Sequence, residues 1–109
     1  MEKIVNLTGH DVTIQTKDGD ITIPPENQKA KARYSSRVLF NLKTRYGSIP
    51  VVKNFYHRST ILPPERDGTY YIVSKIVAEV HPLRNDLLII NGIIRDGLKP
   101  IGCKSLAKL

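Results

Sequence analysis

The side chains that could do acid–base or nucleophilic chemistry are few and scattered. They are His10, Asp11, His57, Ser74, Glu79, His81, Arg84, Asp86 and Cys103. Proton transfer in catalysis needs a group that titrates near pH 7, and histidine supplies one most easily. The three histidines stand in unrelated sequence contexts, and no glycine-rich phosphate loop, HExxH motif or carboxylate pair with metal-ligand spacing accompanies them. The sequence therefore favours a binding protein over an enzyme, and we expect neither a metal nor a cofactor.

The segment from His81 to Asp86 is the best local candidate for an active site, because it could gather an imidazole, a guanidinium and a carboxylate. A pair between Arg84 and Asp86 that fixes a turn is the favoured interpretation. Cys103 has no activating partner nearby in sequence, so we expect a small buried apolar residue there. As the single cysteine, it also excludes an intramolecular disulfide.

Positive charge is concentrated in the middle of the chain. The net charge is +7, and residues 27–64 contain eight Lys and Arg, no Asp or Glu, and five of the seven aromatic residues. Clustered cations bind phosphates with release of counterions, and a neighbouring aromatic ring stacks on a base. The alternative is a solvated face with ordinary core aromatics. We predict ligand binding by Arg33, Arg37, Lys43, Arg45, Tyr46, Lys53, Tyr56 and Arg58.

Short β-strands must position these residues. Alternating apolar residues and turn signals predict strands at 3–7, 12–16, 20–23, 29–43, 49–56, 69–73, 87–90, 93–95 and 100–103. Ser74 is predicted to cap a short helix over 75–80, which Pro82 ends. The fold class is therefore mostly β, a barrel or curled antiparallel sheet with one short helix after residue 74.

The basic segment itself alternates with period two from Lys29 to Lys43. The even positions hold Ala30, Ala32, Tyr34, Ser36, Val38, Phe40 and Leu42, and the odd positions hold most of the cations. This pattern predicts a core face of even residues and an exposed face of odd ones, with a break near Ser35 and Ser36.

Length and composition indicate a single domain over residues 1–109. No apolar run approaches the roughly 18 residues that would cross a membrane, and residues 1–7 look like a strand rather than a signal peptide. With one cysteine, these features predict a cytoplasmic protein. A symmetric homo-oligomer is compatible with the exposed edge strands that such a small β domain has.

Several short segments together resemble a known group. They are Asn6-Leu7-Thr8-Gly9-His10, Leu62-Pro63-Pro64, Tyr71-Ile72-Val73-Ser74, Val77-Ala78, Arg84-Asn85-Asp86-Leu87, Arg95-Asp96 and Gly102-Cys103. In this order they resemble small phage-encoded proteins of unassigned function, which typically begin Asn-Leu-Thr-Pro-His. Gly9 stands where that pattern has proline. The resemblance implies a viral or mobile-element origin and no particular activity, and it adds His10, Ser74 and Arg84 as ligand-binding candidates.

Three functions remain open from the sequence. The first is a non-catalytic phage or mobile-element accessory protein that binds a nucleotide signal or nucleic acid through its basic face in the host cytoplasm, for instance as a counter-defence protein. The second is a protein-interaction module that inhibits an acidic host protein through the same face. The third is a small nucleotide hydrolase using His10 or His81.

Overall fold

The computed structural model describes residues 1–57 and 62–109, and within them the chain is mostly β with one short helix. The elements are β1 (Lys3–Asn6), β2 (Val12–Thr16), β3 (Gly19–Ile23), β4 (Arg33–Thr44), β5 (Gly47–His57), β6 (Thr69–Ile72), α1 (Lys75–Glu79), β7 (Leu87–Asp96) and β8 (Lys99–Ala107). The predicted mostly-β class with a short helix after residue 74 is confirmed.

Six strands form one curled, half-barrel sheet in the order β1-β6-β7-β8-β2-β3. The hairpins β2–β3 and β7–β8 are antiparallel, whereas β1 with β6, β6 with β7 and β2 with β8 run parallel. The sheet is thus mixed, not antiparallel throughout as predicted. One reason is the crossover through α1, which returns the chain to the sheet in the direction of β6.

The core lies between this sheet, α1 and the connections that cover it. One buried cluster contains Leu7, Ala30, Tyr71, Val73, Val77, Ala78 and Leu87, and a second contains Val12, Ile72 and Cys103. α1 reaches the first cluster through Val77 and Ala78, which are both buried. The helix is one residue shorter than the predicted 75–80.

β7 is longer than the sequence predicts, because the two strands expected at 87–90 and 93–95 are continuous. Asn91 and Gly92 look like a turn in sequence, yet Asn91 pairs with Ser105 of β8 and Nδ2 donates to the Ser105 hydroxyl over 3.0 Å. Gly92 has φ +71, and a Cβ there would lie 3.1 Å from Cβ of Lys104. The glycine therefore lets the strand continue past a close neighbour instead of turning.

The β4–β5 hairpin, residues 33–57, stands apart from the sheet, and we call it the arm. It pairs only with itself among the described strands. The molecule measures 57 × 37 × 24 Å with a radius of gyration of 17.6 Å, against about 13 Å for a compact chain of this length. The predicted core face of even-numbered residues is wrong for the arm, because both faces of β4 and β5 are exposed in the described part of the chain.

A register shift divides the arm between Val38 and Phe40. Val38 pairs with Val52 and Phe40 with Val51, so Leu39 is an extra residue in β4. The irregularity predicted at Ser35 and Ser36 therefore lies further along the strand. Because one extra residue reverses which side each later residue faces, the outer part of β4 does not follow the even–odd rule of its first part.

Candidate anion-binding arm

The arm is held together by its tip and its cross-strand pairs. At the tip the Thr44 hydroxyl donates to the Gly47 carbonyl over 2.8 Å and accepts from the Tyr46 amide over 3.1 Å. Gly47 supplies the positive φ, +132°, that the turn requires. This turn projects Arg45 and Tyr46 into solvent, where the guanidinium lies 4.9 Å from the ring centroid and Nη2 donates to the phenol oxygen over 2.7 Å.

One face of the arm, which we call the tyrosine face, begins with a pair of rings. Tyr34 lies opposite Tyr56, with ring centroids 5.7 Å apart and planes tilted by 49°. Tyr34 is 61% exposed, so its ring is available to a ligand. Next along this face the Ser36 hydroxyl donates to the Asn54 side chain over 2.6 Å. By register the face continues through Val38 and ends with Asn41 and Lys43.

The opposite face, which we call the basic face, carries Arg33 and Arg37 from β4 and Lys53 from β5. The Lys53 ammonium lies 5.5 Å from the Phe55 ring centroid, and the Ser35 hydroxyl lies 3.1 Å from Nε2 of His57. These contacts agree with the pairing register, which places all of these side chains on one side. Beyond the register shift the same face becomes apolar, with Phe40, Leu42, Ile49 and Val51.

The arm therefore has two parts of different character. The stem, residues 33–37 and 53–57, carries three cations and three of the five aromatic rings of the arm, whereas the outer half, residues 38–52, is largely apolar with Lys43 and Arg45 near its tip. The arm holds five Lys and Arg and no carboxylate. The three ion pairs found within residues 1–57 and 62–109 join Lys75 to Glu79 and Arg84 to Glu65 and Asp86, so none involves an arm cation.

The predicted site residues separate into two groups. The arm brings together Arg33, Arg37, Lys53, Tyr56, Lys43, Arg45 and Tyr46, the first three on one face and the last two at the tip. Arg58 lies outside the described residues. His10, Ser74 and Arg84 lie outside the arm, in the six-stranded sheet with α1 and its connections, which we call the body. Each of the three has a role in the fold there.

His10 ends a turn that is organised by Asn6, a fully buried residue. Asn6 Nδ2 donates to the carbonyls of His10 and Ile23 over 2.8 and 2.9 Å, and Oδ1 accepts from the amide and hydroxyl of Thr8 over 2.9 and 2.6 Å. Sequence reasoning missed Asn6. Its signal is an Asn at the end of a strand with Thr two residues on, a typical side-chain-stabilised turn.

Ser74 and Arg84 are also engaged within the fold. The Ser74 hydroxyl accepts from the Val77 amide over 3.3 Å and so caps α1, as predicted. Arg84 binds Asp86 through two hydrogen bonds of 2.9 and 2.8 Å, and its Nη2 also donates to the Pro63 carbonyl over 2.8 Å. The expected Arg84–Asp86 pair is thus confirmed. It joins the start of β7 to the Pro63 carbonyl in the segment before β6.

This pair perturbs the titration of both partners. The hydrogen bonds from Arg84 lower the pKa of Asp86, and those to Asp86 raise the pKa of Arg84, in each case against a smaller opposing effect of burial. Both side chains are therefore held in their charged forms by each other. The pKa shifts of Arg84 and Asp86 thus follow from their contact with each other within the fold.

Two clefts in the body receive the remaining candidates. A cleft of about 420 Å³ between β2, β7 and β8 is lined by His10, Asp11, Ile93, Ile101 and Cys103, among others. A cleft of about 320 Å³ beyond α1 is lined by Glu79, His81 and Arg84, among others. The two histidines considered for catalysis thus line different clefts. Cys103 is buried against Val12 and Ile72, as expected for a small apolar residue.

A scan against protein-family models, a search of curated proteins and a search of solved structures gave no match to this chain. In the described part of the chain, no helix has the length and apolar character needed to cross a membrane. No group of three or more His, Cys, Asp or Glu in residues 1–57 and 62–109 is arranged to hold a metal ion.

Proposed function

We propose that this protein is a non-catalytic binder of a phosphate-bearing ligand, and that the arm is its binding element. The observation that carries the proposal is an exposed two-stranded ribbon with five cations, no carboxylate and freely presented tyrosine rings. Cations without carboxylate partners attract phosphates, and their binding releases the counterions condensed on a nucleic acid. Exposed rings beside them add stacking on bases.

Of the two ligand classes, nucleotide and nucleic acid, the shape of the arm favours nucleic acid. Strands of 12 and 11 residues extend for about 35–40 Å at the usual rise of a β-strand. A two-stranded β-ribbon fits the major groove of B-form DNA, which is about 12 Å wide. The cations lie at the two ends of the arm rather than around one point, so they match a run of phosphates better than a single one; they are Arg33, Arg37 and Lys53 in the stem and Lys43 and Arg45 near the tip.

We further propose a setting in the cytoplasm of a host cell, as a phage or mobile-element accessory protein that acts stoichiometrically. This part depends on the resemblance of the Asn6–His10, Tyr71–Ser74 and Arg84–Leu87 segments to phage-encoded proteins. Interference with a host defence that uses nucleic acid or nucleotide signals would fit a basic binding arm in that setting.

Binding to labelled duplex and single-stranded oligonucleotides, followed by fluorescence anisotropy over a range of salt concentrations, tests this function. If all five described arm cations contact phosphates of a DNA duplex, the slope of log K against log salt approaches about −4.5, at 0.9 per contact. The double variant Arg33→Ala and Arg37→Ala should flatten this slope by about 1.8 and weaken binding to all sequences alike.

The matched control replaces two cations of the body, Lys17→Ala and Lys99→Ala, which removes the same charge away from the arm. Both residues are exposed, so both double variants should unfold at the temperature of the wild type. If the control and the arm variant lose affinity equally, binding follows net charge and the arm is not the site. Undetectable binding to every oligonucleotide at low salt would turn the assignment towards an acidic protein partner.

A further inference from the structure

The outer half of the arm exposes more apolar surface than a free ribbon normally carries. Phe40 is 53% exposed, and Val38, Leu39, Leu42, Ile49 and Val52 are also exposed. A two-stranded hairpin is marginally stable alone in water, and contiguous exposed apolar surface marks an interaction site. The cations and tyrosines of the stem suit a phosphate ligand, but this aliphatic half does not.

The body carries an apolar cleft that could receive it. The cleft between β2, β7 and β8 has a volume of about 420 Å³; its apolar lining comes mainly from Ile90, Ile93, Pro100 and Ile101, and its polar lining includes His10, Asp11 and Arg95. Ile93 and Ile101 are 49% and 46% exposed. The same chain therefore presents an apolar ribbon and a cleft with a large apolar part, and each leaves its surface open to solvent.

Charge distinguishes a second copy of this chain from other apolar partners. The cleft begins at Asp11 and Val12, and β2 leads from there into the β2–β3 hairpin. Residues 11–23 hold Asp11, Asp18 and Asp20 against a single cation, Lys17. The tip of the arm holds Lys43 and Arg45 and no acid. Within the cleft Asp11 and Arg95 offset each other, so the net acidic charge lies at the hairpin. An arm lying along the cleft with its tip at this hairpin would bring opposite charges together there.

The area that such a contact buries indicates how many contacts are needed. The outer half contributes about seven residues from each strand, and hence a ribbon about 23 Å long and 10 Å wide. Because side chains make the surface rougher than a flat rectangle, one docked face buries roughly 700 Å² counted over both surfaces. This area is below that of a stable interface. Two reciprocal contacts bury roughly 1,400 Å², within the usual range.

We propose that residues 38–52 of the arm dock in the β2/β7/β8 cleft of a second copy of this chain, and that reciprocal exchange of arms closes a twofold dimer. The contact is isologous, so each copy gives an arm and receives one. The stem cations Arg33, Arg37 and Lys53 remain outside the docked region, whereas Lys43 and Arg45 lie at the contact. A dimer with docked arms therefore leaves the three stem cations to bind a phosphate ligand, and the dimer contact itself does not depend on that ligand.

Light scattering on the eluting protein and sedimentation equilibrium measure the mass directly. The wild-type protein should be a dimer, and Phe40→Ser with Leu42→Ser should be a monomer, as should Ile93→Ser with Ile101→Ser in the cleft. The matched control Tyr34→Ser with Tyr56→Ser removes exposed rings from the stem and should stay dimeric. Circular dichroism and thermal unfolding establish that each body is folded.

A charge exchange tests the second copy without disturbing apolar residues. One variant carries Lys43→Glu and Arg45→Glu, and the other carries Asp18→Lys and Asp20→Lys. Each alone places like charges at both contacts and should dimerise at least tenfold more weakly. In a mixture both contacts are complementary again, so native mass spectrometry should find the heterodimer and little of either homodimer.

The proposal is overturned by a wild-type protein that is monomeric at every concentration measured. It is equally overturned by a dimer that survives both apolar pairs of substitutions, or by a mixture of charge variants that forms no heterodimer. Because the charge variants change only exposed residues, they decide the matter even if an apolar variant does not fold. Oligonucleotide binding by the arm is measured separately, so either proposal can fail without the other.

Discussion

Asn6 offers the sharpest test of how the body is built, because one buried side chain makes four hydrogen bonds. Its amide donates two and its carbonyl accepts two, and together they join the end of β1 to the end of β3 and to the Thr8–His10 turn. A typical internal hydrogen bond contributes about 1 kcal/mol net. Asn6→Ala should therefore lower the free energy of unfolding by about 4 kcal/mol, a large part of the stability of a small domain.

Asn6→Asp keeps the shape and should cost more at neutral pH. The introduced carboxylate still accepts from Thr8 but faces the carbonyls of His10 and Ile23, which then lose their donors. An uncompensated buried charge costs about 3–5 kcal/mol. Burial raises the folded-state pKa of this carboxyl above its unfolded value of about 3.9. The penalty is therefore absent below that value and grows as the pH rises towards the folded pKa, by about 1.4 kcal/mol per unit.

Urea unfolding followed by circular dichroism at pH 4 and pH 7 measures both variants. Asn6→Asp should regain stability relative to wild type at pH 4, whereas the deficit of Asn6→Ala should be the same at both pH values. The reasoning would be refuted by two variants with equal deficits at pH 7, or by an Asn6→Asp deficit that does not change with pH. Either result would mean that the Asn6 side chain is not enclosed by these four partners.

Two further substitutions test the roles of predicted site residues in the fold. Asp86→Asn should lower the free energy of unfolding by about 1–2 kcal/mol at pH 7. Because Arg84 lowers the pKa of Asp86 in the folded protein, the wild-type advantage is complete above the unfolded-state pKa and is lost as the pH falls through the folded-state pKa. Urea unfolding at several pH values measures this loss. Ser74→Ala should lower the free energy of unfolding by about 1 kcal/mol through loss of the cap on α1. Ser74→Asp should keep most of the wild-type stability, since aspartate caps a helix equally well. Thermal unfolding of the two variants distinguishes capping from a role in ligand binding.

Local sequence signals predicted the elements whose structure depends on local chemistry. β2 and β3 lie close to the predicted ranges 12–16 and 20–23, with the turn at Lys17 and Asp18 between them, and the Ser74 cap and Pro82 bracket α1. Glycine supplies a positive φ and serine satisfies a helix amide whatever the rest of the chain does, so these signals need no knowledge of the fold.

The exposure of the arm could not be predicted in the same way. Alternation of apolar and polar residues shows which side chains share a face, but coverage of that face depends on which elements pack against it. No glycine or other turn residue near Leu39 indicates in the sequence that β4 has an extra residue there. The extra residue places Phe40 and Leu42 on the same side of the arm as Arg33. Concentration of charge in residues 27–64 did locate the candidate site, since composition does not depend on the direction in which a side chain points.

Gly9 has a backbone conformation that only glycine adopts readily. Its φ is +87°, and a Cβ there would lie 2.8 Å from Cδ of Lys29. Proline requires φ near −65°, so a chain with proline at this position needs a different backbone in the turn. The close approach of the Lys29 side chain to the Thr8–His10 turn therefore depends on glycine at position 9.

The bulge at Leu39 separates the position of a residue in the sequence from the surface on which it lies. Phe40 pairs with Val51 and Leu42 with Ile49, so a chain without Leu39 would still present both on the side of Arg37, by unbroken alternation after Val38. Losing one residue at this point therefore removes the irregularity without exchanging the two surfaces. The bulge is a place where the length of β4 can change by one residue while the amino acids of each surface stay together.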